Sequence, residues 1–166
     1  MSNEKSRSLA ALAGFGLVTA GVAWYGSRYS KGHRDPWYRT LDKPKFTPPD
    51  EVFPIVWTAL YASIAWSGWR VWSAQPSPDR RRALRLWMSQ LASNAEWSKL
   101  FFGDRRPDLA LVDIVALETA IVRYIVAARK VDPAAAYALL PYFAWVGFAT
   151  VLNYEIDRRN PRHKLS

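Results

Sequence analysis

LAALAGFGLVTAGVAWYGS, residues Leu9 to Ser27, contains no charged side chain and is rich in Ala and Gly. A helix needs about 20 predominantly apolar residues to cross the hydrocarbon core of a bilayer, and small residues let membrane helices approach closely. The stretch is therefore expected to be a transmembrane helix. Lys5 and Arg7 ahead of an Ala-rich apolar run also fit a secretory signal peptide. Against that reading, the run ends in Trp24-Tyr25 followed by Arg28, where a cleavage site wants small side chains, and further apolar runs come later.

Four later stretches repeat the pattern. Val52 to Ser73 (VFPIVWTALYASIAWSGWRVWS) carries one charge, Arg70, near enough to its end for the side chain to snorkel. Trp66, Trp69 and Trp72 there resemble the aromatic belt of a membrane interface. Ala83 to Phe102 is polar for a span, with Ser89, Gln90, Ser93, Asn94, Glu96 and Lys99. Leu109 to Ala128 is apolar except for Asp113, Glu118 and Arg123, and Ala134 to Ile156 has no charge before Glu155. Short linkers rich in Pro or Gly separate the later runs, so sequential neighbours are expected to be antiparallel. The expectation is one all-α domain over residues 1–166, an integral membrane bundle of five transmembrane helices at about 9–27, 52–73, 83–102, 109–128 and 134–156.

Composition narrows the function classes. The 166 residues suit a single core, and nine Trp, eight Tyr and seven Phe suit membrane interfaces or flat apolar ligands. The absence of Cys excludes disulfides, thiolate nucleophiles and iron-sulfur sites, and His33 and His163 are too few and too far apart for a metal site. No acid-base pair or nucleophile constellation supports hydrolytic chemistry. A net charge of +9 fits nucleic acid, an anionic membrane surface or basic loops. Arg80-Arg81-Arg82 and Arg158-Arg159 fall in connections, not along one helical face, so no nucleic-acid partner is expected; a soluble basic DNA-binding domain is the alternative outside membranes. A mean hydropathy of -0.16 is low for a membrane protein, and the charged first loop and basic tail account for part of it. Eight cations lie on the side of the N-terminus and twelve on the other, which leans toward a cytoplasmic C-terminus, although Arg80-Arg81-Arg82 opposes it.

The segment from Trp37 through Thr40, Leu41, Asp42, Lys43, Pro44, Phe46, Pro48 and Pro49, running into Val52-Phe53-Pro54-Ile55-Val56-Trp57 and Tyr61, resembles the first loop and second helix of the translocator protein family. This is the family called TspO/MBR, the tryptophan-rich sensory proteins, or the peripheral-type benzodiazepine receptors. Asn94 with Trp97, Leu100-Phe101-Phe102-Gly103, Ala110 to Asp113, Pro141 to Trp145, and Phe148 to Asn153 agree with it in order and spacing. The resemblance covers nearly everything after residue 36; the first helix matches in character alone. It implies a five-helix membrane bundle, often a homodimer, whose pocket is closed by the first loop. It also implies ligands such as porphyrins, haem, cholesterol-like lipids and synthetic benzodiazepines, and in some bacterial members light-dependent breakdown of protoporphyrin. A bacterial cell envelope is the expected location, or the mitochondrial outer membrane in a eukaryote.

The residues can also be read without the family. Trp57 and Tyr61 are four apart, and Tyr142, Trp145 and Ala149 fall at i, i+3 and i+7, so each set lines one helical face. Two such faces can sandwich a planar ring, with an indole N–H donating one hydrogen bond. Asn94 and Trp97 share a face with Phe101. The expected ligand-binding residues are thus Trp37, from the first loop, with Trp57, Tyr61, Asn94, Trp97, Phe101, Tyr142, Trp145 and Ala149; Trp57 and Trp145 would be the catalytic pair if the protein is an enzyme. The plainer reading makes the aromatics packing groups and Asn94 an inter-helix hydrogen bonder. Glu96 departs from the family pattern and either pairs with Lys99 or faces a wet cavity. Glu118 and Arg123 are read as partnered by other helices or a dimer contact, and Asp113 and Asn153 as structural. Leu152, Tyr154 and Arg158 fit a loose sterol-contact pattern. Pro44, Pro48 and Pro49 stiffen the first loop, as lid or as connector. Arg39, Lys43 and Lys45 meet porphyrin propionates or solvent, and His33 is an axial haem ligand or simply solvated.

Three functions follow: a membrane receptor for porphyrins, haem or similar flat ligands in tetrapyrrole sensing, transport or regulation; a porphyrin-degrading enzyme; or a lipid- or sterol-binding scaffold assembled through small-residue faces such as Ala10 with Gly14, Gly16 with Ala20 and Ala116 with Ala120. None needs an obligatory cofactor; porphyrin or haem enters as ligand.

Overall fold

The computed structural model describes residues 2–30 and 35–161. Its order is α1 (Ser2–Ser27), α2 (Pro36–Thr40), α3 (Val52–Ser73), α4 (Pro78–Ser98), a π-helical turn (Lys99–Gly103), α5 (Pro107–Arg129), α6 (Pro133–Tyr137) and α7 (Leu140–Arg159), with no strand among the described residues. Pro occupies the first turn of α2, α4, α5, α6 and α7, where its missing N–H costs nothing. Asp35, Ser77 and Asp132 cap α2, α4 and α6 through their side-chain oxygens, at 2.9 Å to the Trp37 N–H, 3.1 Å to the Arg80 N–H and 2.9 Å to the Ala134 N–H.

The second expected span coincides with α3, and the fourth with α5 to within two residues. The first helix begins earlier, at Ser2. The third begins at Pro78, because the Ser77 cap and Pro78 start a helix that the apolar pattern does not reveal, and it ends in the π turn. The fifth is a correction. It is not one helix over 134–156 but α6 and α7, separated by a turn at 138–139. Pro141 cannot donate to the Tyr137 carbonyl, and its ring crowds that carbonyl, so a continuous ladder is broken there.

The long helices pack side by side, α5 against α4, α6 and α7, and α1 against α3 and α4. At the α1–α3–α4 crossing a Cβ on Gly68 would lie 2.6 Å from the Trp87 ring and 2.7 Å from that of Phe15, so only Gly permits the approach. Trp87 Nε1 donates to the Ile64 carbonyl at 2.9 Å, tying α4 to α3. Nearby, Tyr124 donates to Ser67, which donates in turn to the Ala135 carbonyl, each at 2.7 Å. Both buried hydroxyls are satisfied, as an apolar interior demands.

The outside of the bundle is apolar. Leu17 is 74% exposed, Ile55 72% and Val112 70%, a surface that suits lipid better than water. The stretches Glu4–Ser27 and Pro133–Arg159 have the length and hydropathy of membrane spans, at 1.5 and 1.6; α3, α4 and α5, of 22, 21 and 23 residues, are long enough but less apolar or more charged.

Candidate ligand-binding site

A cavity of about 680 Å³ opens between α3, the α4–π turn, α5 and α7, with the end of α1 and the loop after α2 along its mouth. Seven of the residues expected from the sequence line it: Trp57 and Tyr61 from α3, Asn94, Trp97 and Phe101 from α4 and the π turn, and Trp145 and Ala149 from α7. Trp57 lies 5.4 Å from Tyr61 at 32°, and Trp97 stacks on Phe101 at 5.2 Å and 25°. Trp145 packs on Phe53 and Phe148 at 5.9 and 5.4 Å.

Two expected residues stand behind the wall. Trp37 is buried and meets Phe101 edge-on at 5.9 Å. Tyr142 is fully buried at the back of Trp57, with centroids 6.1 Å apart. The π turn carries Phe101 into the space Trp37 would otherwise face, and α7 turns Tyr142 toward α4 instead of the cavity.

A polar relay crosses the site. Tyr61 Oη donates to Asn94 Oδ1 at 2.7 Å, and Asn94 Nδ2 donates to Tyr142 Oη at 3.0 Å. Trp97 Nε1 donates to Asn153 Oδ1 at 3.0 Å, while Asn153 Nδ2 donates to the Pro107 carbonyl at 2.8 Å. Asn94 therefore both cross-links helices and lines the cavity, and Asn153 does the same. Trp145 differs: its Nε1 is buried and has no hydrogen-bond partner. A buried N–H left unpaired is costly, and this one belongs to a side chain on the cavity wall.

Among the described residues the charged lining side chains are both acidic, Asp50 and Glu51. Arg39, Lys43 and Lys45 do not line the cavity; Lys43 Nζ donates to the Tyr38 carbonyl at 2.9 Å and sits 4.2 Å over the Tyr38 ring. Tyr38, at the mouth, is buried, and that burial, aided by the charge of Asp50, pushes its hydroxyl up to about 12. The first loop is pinned over the mouth, with Phe46 against Phe148 at 6.2 Å. His33 lies outside the described residues.

The remaining candidates separate. Glu96 pairs with Lys99 at 3.2 Å and is not on the cavity wall. Glu118 Oε2 accepts from Thr150 Oγ1 at 3.5 Å, joining α5 to α7. Asp113 does not cross-link helices through its Oδ2, which is buried without a partner. Leu152 lines the cavity, whereas Tyr154 is half exposed and Arg158 pairs with Glu155 at 2.9 Å, so the sterol pattern does not form one surface. Sequence reasoning missed Phe53 and Val146 on the wall, though Phe53 lies four before Trp57 on the same face. It also missed Ala23, Gly26 and Ser27 of α1, for which no residue pattern gave a signal.

The TspO/MBR family model matches residues 15–159. The chain belongs to the TspO/MBR family. It is 37% identical to the Translocator protein of Homo sapiens over 149 residues, 89% of this chain and 88% of that one. It is 35% identical to the Tryptophan-rich protein TspO of Chlorobaculum tepidum over 166 residues, 96% and 99% of the two chains. It is also 35% identical to the Tryptophan-rich sensory protein of Cereibacter sphaeroides over 126 residues, 76% and 78%. TspO/MBR proteins are membrane helical bundles, so the apolar exterior described above faces lipid, and relatives occur in both bacteria and eukaryotes.

Proposed function

We propose that this TspO/MBR protein is a membrane receptor for a flat, largely apolar ligand of the tetrapyrrole class, acting in its sensing or transport. The observation that carries the reading is the unpaired Trp145 N–H on the wall of a cavity bounded by Trp57 and Tyr61 from α3 and by Trp145 and Ala149 from α7. A volume of 680 Å³ lies within the range of about 300–1,000 Å³ typical of small-molecule sites. Two aromatic walls favour a planar guest by stacking, and the indole donor gives it one polar anchor. A second copy of the chain belongs on the exposed face of α1, where Gly14 and Gly21 have no neighbour within 4 Å of an added Cβ.

The test is quenching of tryptophan fluorescence by protoporphyrin IX, in detergent and in the dark, for wild type, Trp57→Phe and Trp145→Phe. Saturable binding weakened by both substitutions is expected; a linear, unsaturable response overturns the tetrapyrrole reading. Timed illumination of the same samples separates a receptor from an enzyme, since only the enzyme consumes porphyrin in a manner that both substitutions abolish.

A further inference from the structure

At the end of the bundle opposite the first loop, Arg82 of α4 and Arg123 and Lys130 of α5 line a second cavity of about 200 Å³. Asp79 is the single acidic side chain on its wall among the described residues, and Val122 and Val126 contribute apolar surface. None of the three cations forms an ion pair among the described residues, whereas Arg70 of α3 is held by Asp132 at 2.7 Å. Three positive groups against one negative leave the pocket in want of an anion.

Arg123 decides what kind of anion. It lies six residues before the end of α5, roughly 9 Å along the axis from the last residue. The side chains beside it, Val122 at 42% exposure and Val126 at 58%, face outward. They continue a line of exposed residues through Val112, Val115 and Thr119, spaced three and four apart and so on one side of the helix. A cation at such depth on a lipid-facing helix is costly unless it snorkels or meets a counter-charge. A free anion offers nothing to the apolar line leading up to it. A phospholipid supplies both parts, an acyl chain along the valines and a phosphate at the pocket.

We propose that this pocket binds the phosphate of an anionic phospholipid, held by Arg82, Arg123 and Lys130, with an acyl chain lying along the exposed valines of α5. The site is independent of the aromatic cavity and of the ligand assigned to it.

The experiment follows the thermal stability of the full chain in detergent micelles titrated with dioleoylphosphatidylglycerol, with dioleoylphosphatidylcholine, or with inorganic phosphate. Phosphatidylglycerol should stabilise saturably and phosphatidylcholine should not. Arg123→Gln and Arg82→Gln should each raise the half-saturating lipid fraction roughly fivefold, the effect of one basic side chain near an anionic lipid surface. Arg85→Gln, exposed on α4 and outside the pocket, removes the same charge and should leave the titration unchanged. If Arg123→Gln does not fold, Arg82→Gln carries the test. Equal stabilisation by the two lipids overturns the proposal, as does an Arg85→Gln effect as large as the other two. Stabilisation by inorganic phosphate that Arg82→Gln abolishes overturns it in favour of a soluble-anion site.

Discussion

Asn160, just beyond α7, and Asp42, just beyond α2, clasp one another across 118 residues of sequence: the Asp42 N–H donates to Asn160 Oδ1 at 2.8 Å, and Asn160 Nδ2 donates to the Asp42 carbonyl at 3.0 Å. The bond pair fixes the start of the first loop to the bundle, and the three prolines beyond it limit how far the rest can stray. Asn160→Ala removes both bonds, each worth about 1 kcal/mol. Limited proteolysis should then cut within residues 42–51 faster than in wild type, and bound ligand should dissociate faster. Unchanged cleavage and dissociation would show that the loop is held by its packing alone.

Trp145 and Trp97 are predicted to respond oppositely to the same change. Trp145→Phe keeps most of the ring and removes a buried N–H that has no protein partner, so stability should hold or rise while binding of a ligand bearing an acceptor weakens about fivefold, the value of one neutral hydrogen bond. Trp97→Phe removes a bond to Asn153 and should cost about 1 kcal/mol of stability. Thermal unfolding and ligand titration on the two variants separate these outcomes.

With Asp50 and Glu51 as the charged side chains on the cavity wall among the described residues, a carboxylate placed near them meets repulsion on the order of 1 kcal/mol even in a watery mouth. The dimethyl ester of protoporphyrin should therefore bind at least as tightly as the diacid, and the gap should narrow at high salt. A diacid that binds more tightly, with salt weakening it, would show that Lys43, over Tyr38 at the mouth, outweighs the two acids.

Tyr38 sets an alkaline limit on loop docking. Burial, then the charge of Asp50, raises its hydroxyl from the ordinary 10.0 to about 12. Below pH 10 the hydroxyl is neutral whether the loop is docked or not, and docking is intact. Between there and about 12 the undocked form loses its proton while the docked form keeps it, so docking weakens as pH rises. Tyrosinate absorbance should show a component near 12 that Tyr38→Phe abolishes, and loop cleavage in wild type should accelerate over the same range.

Gly68→Ala places a methyl group 2.6 Å from Trp87 and 2.7 Å from Phe15. Trp87 is buried and bonded to the Ile64 carbonyl and so has little room to give way, and overpacking of this kind costs about 1–3 kcal/mol. The melting temperature in detergent should fall accordingly, and Gly16→Ala, at an open position, serves as the control.

The fold was legible where breakers bracket an apolar run. Pro48, Pro49 and Pro76 delimit α3, and the aromatic faces of α3 and α7 follow from side-chain spacing alone. Polarity concealed the start of α4, since Pro78 to Arg82 reads as a loop until Ser77 is recognised as a cap. The break between α6 and α7 was written in Pro141, but an apolar count passes over it. Which face of an element looks into the cavity was harder. Trp37 and Tyr142 have the chemistry of lining residues and stand behind the wall, because the wall is set by helix rotation and by neighbours distant in sequence. The contribution of α1 depends wholly on such neighbours, and nothing local announces it.

The π turn at Lys99–Gly103 holds one more residue than a regular helical ladder needs. Phe101 and Phe102, adjacent in sequence, both reach the cavity there, which the steeper angular step of an α-helix would discourage. Loss of a single residue from that turn would restore ordinary helical spacing, leave the remainder of α4 in phase and swing one ring off the wall. The shape of this cavity is thus sensitive to insertion and deletion in the turn as well as to replacement.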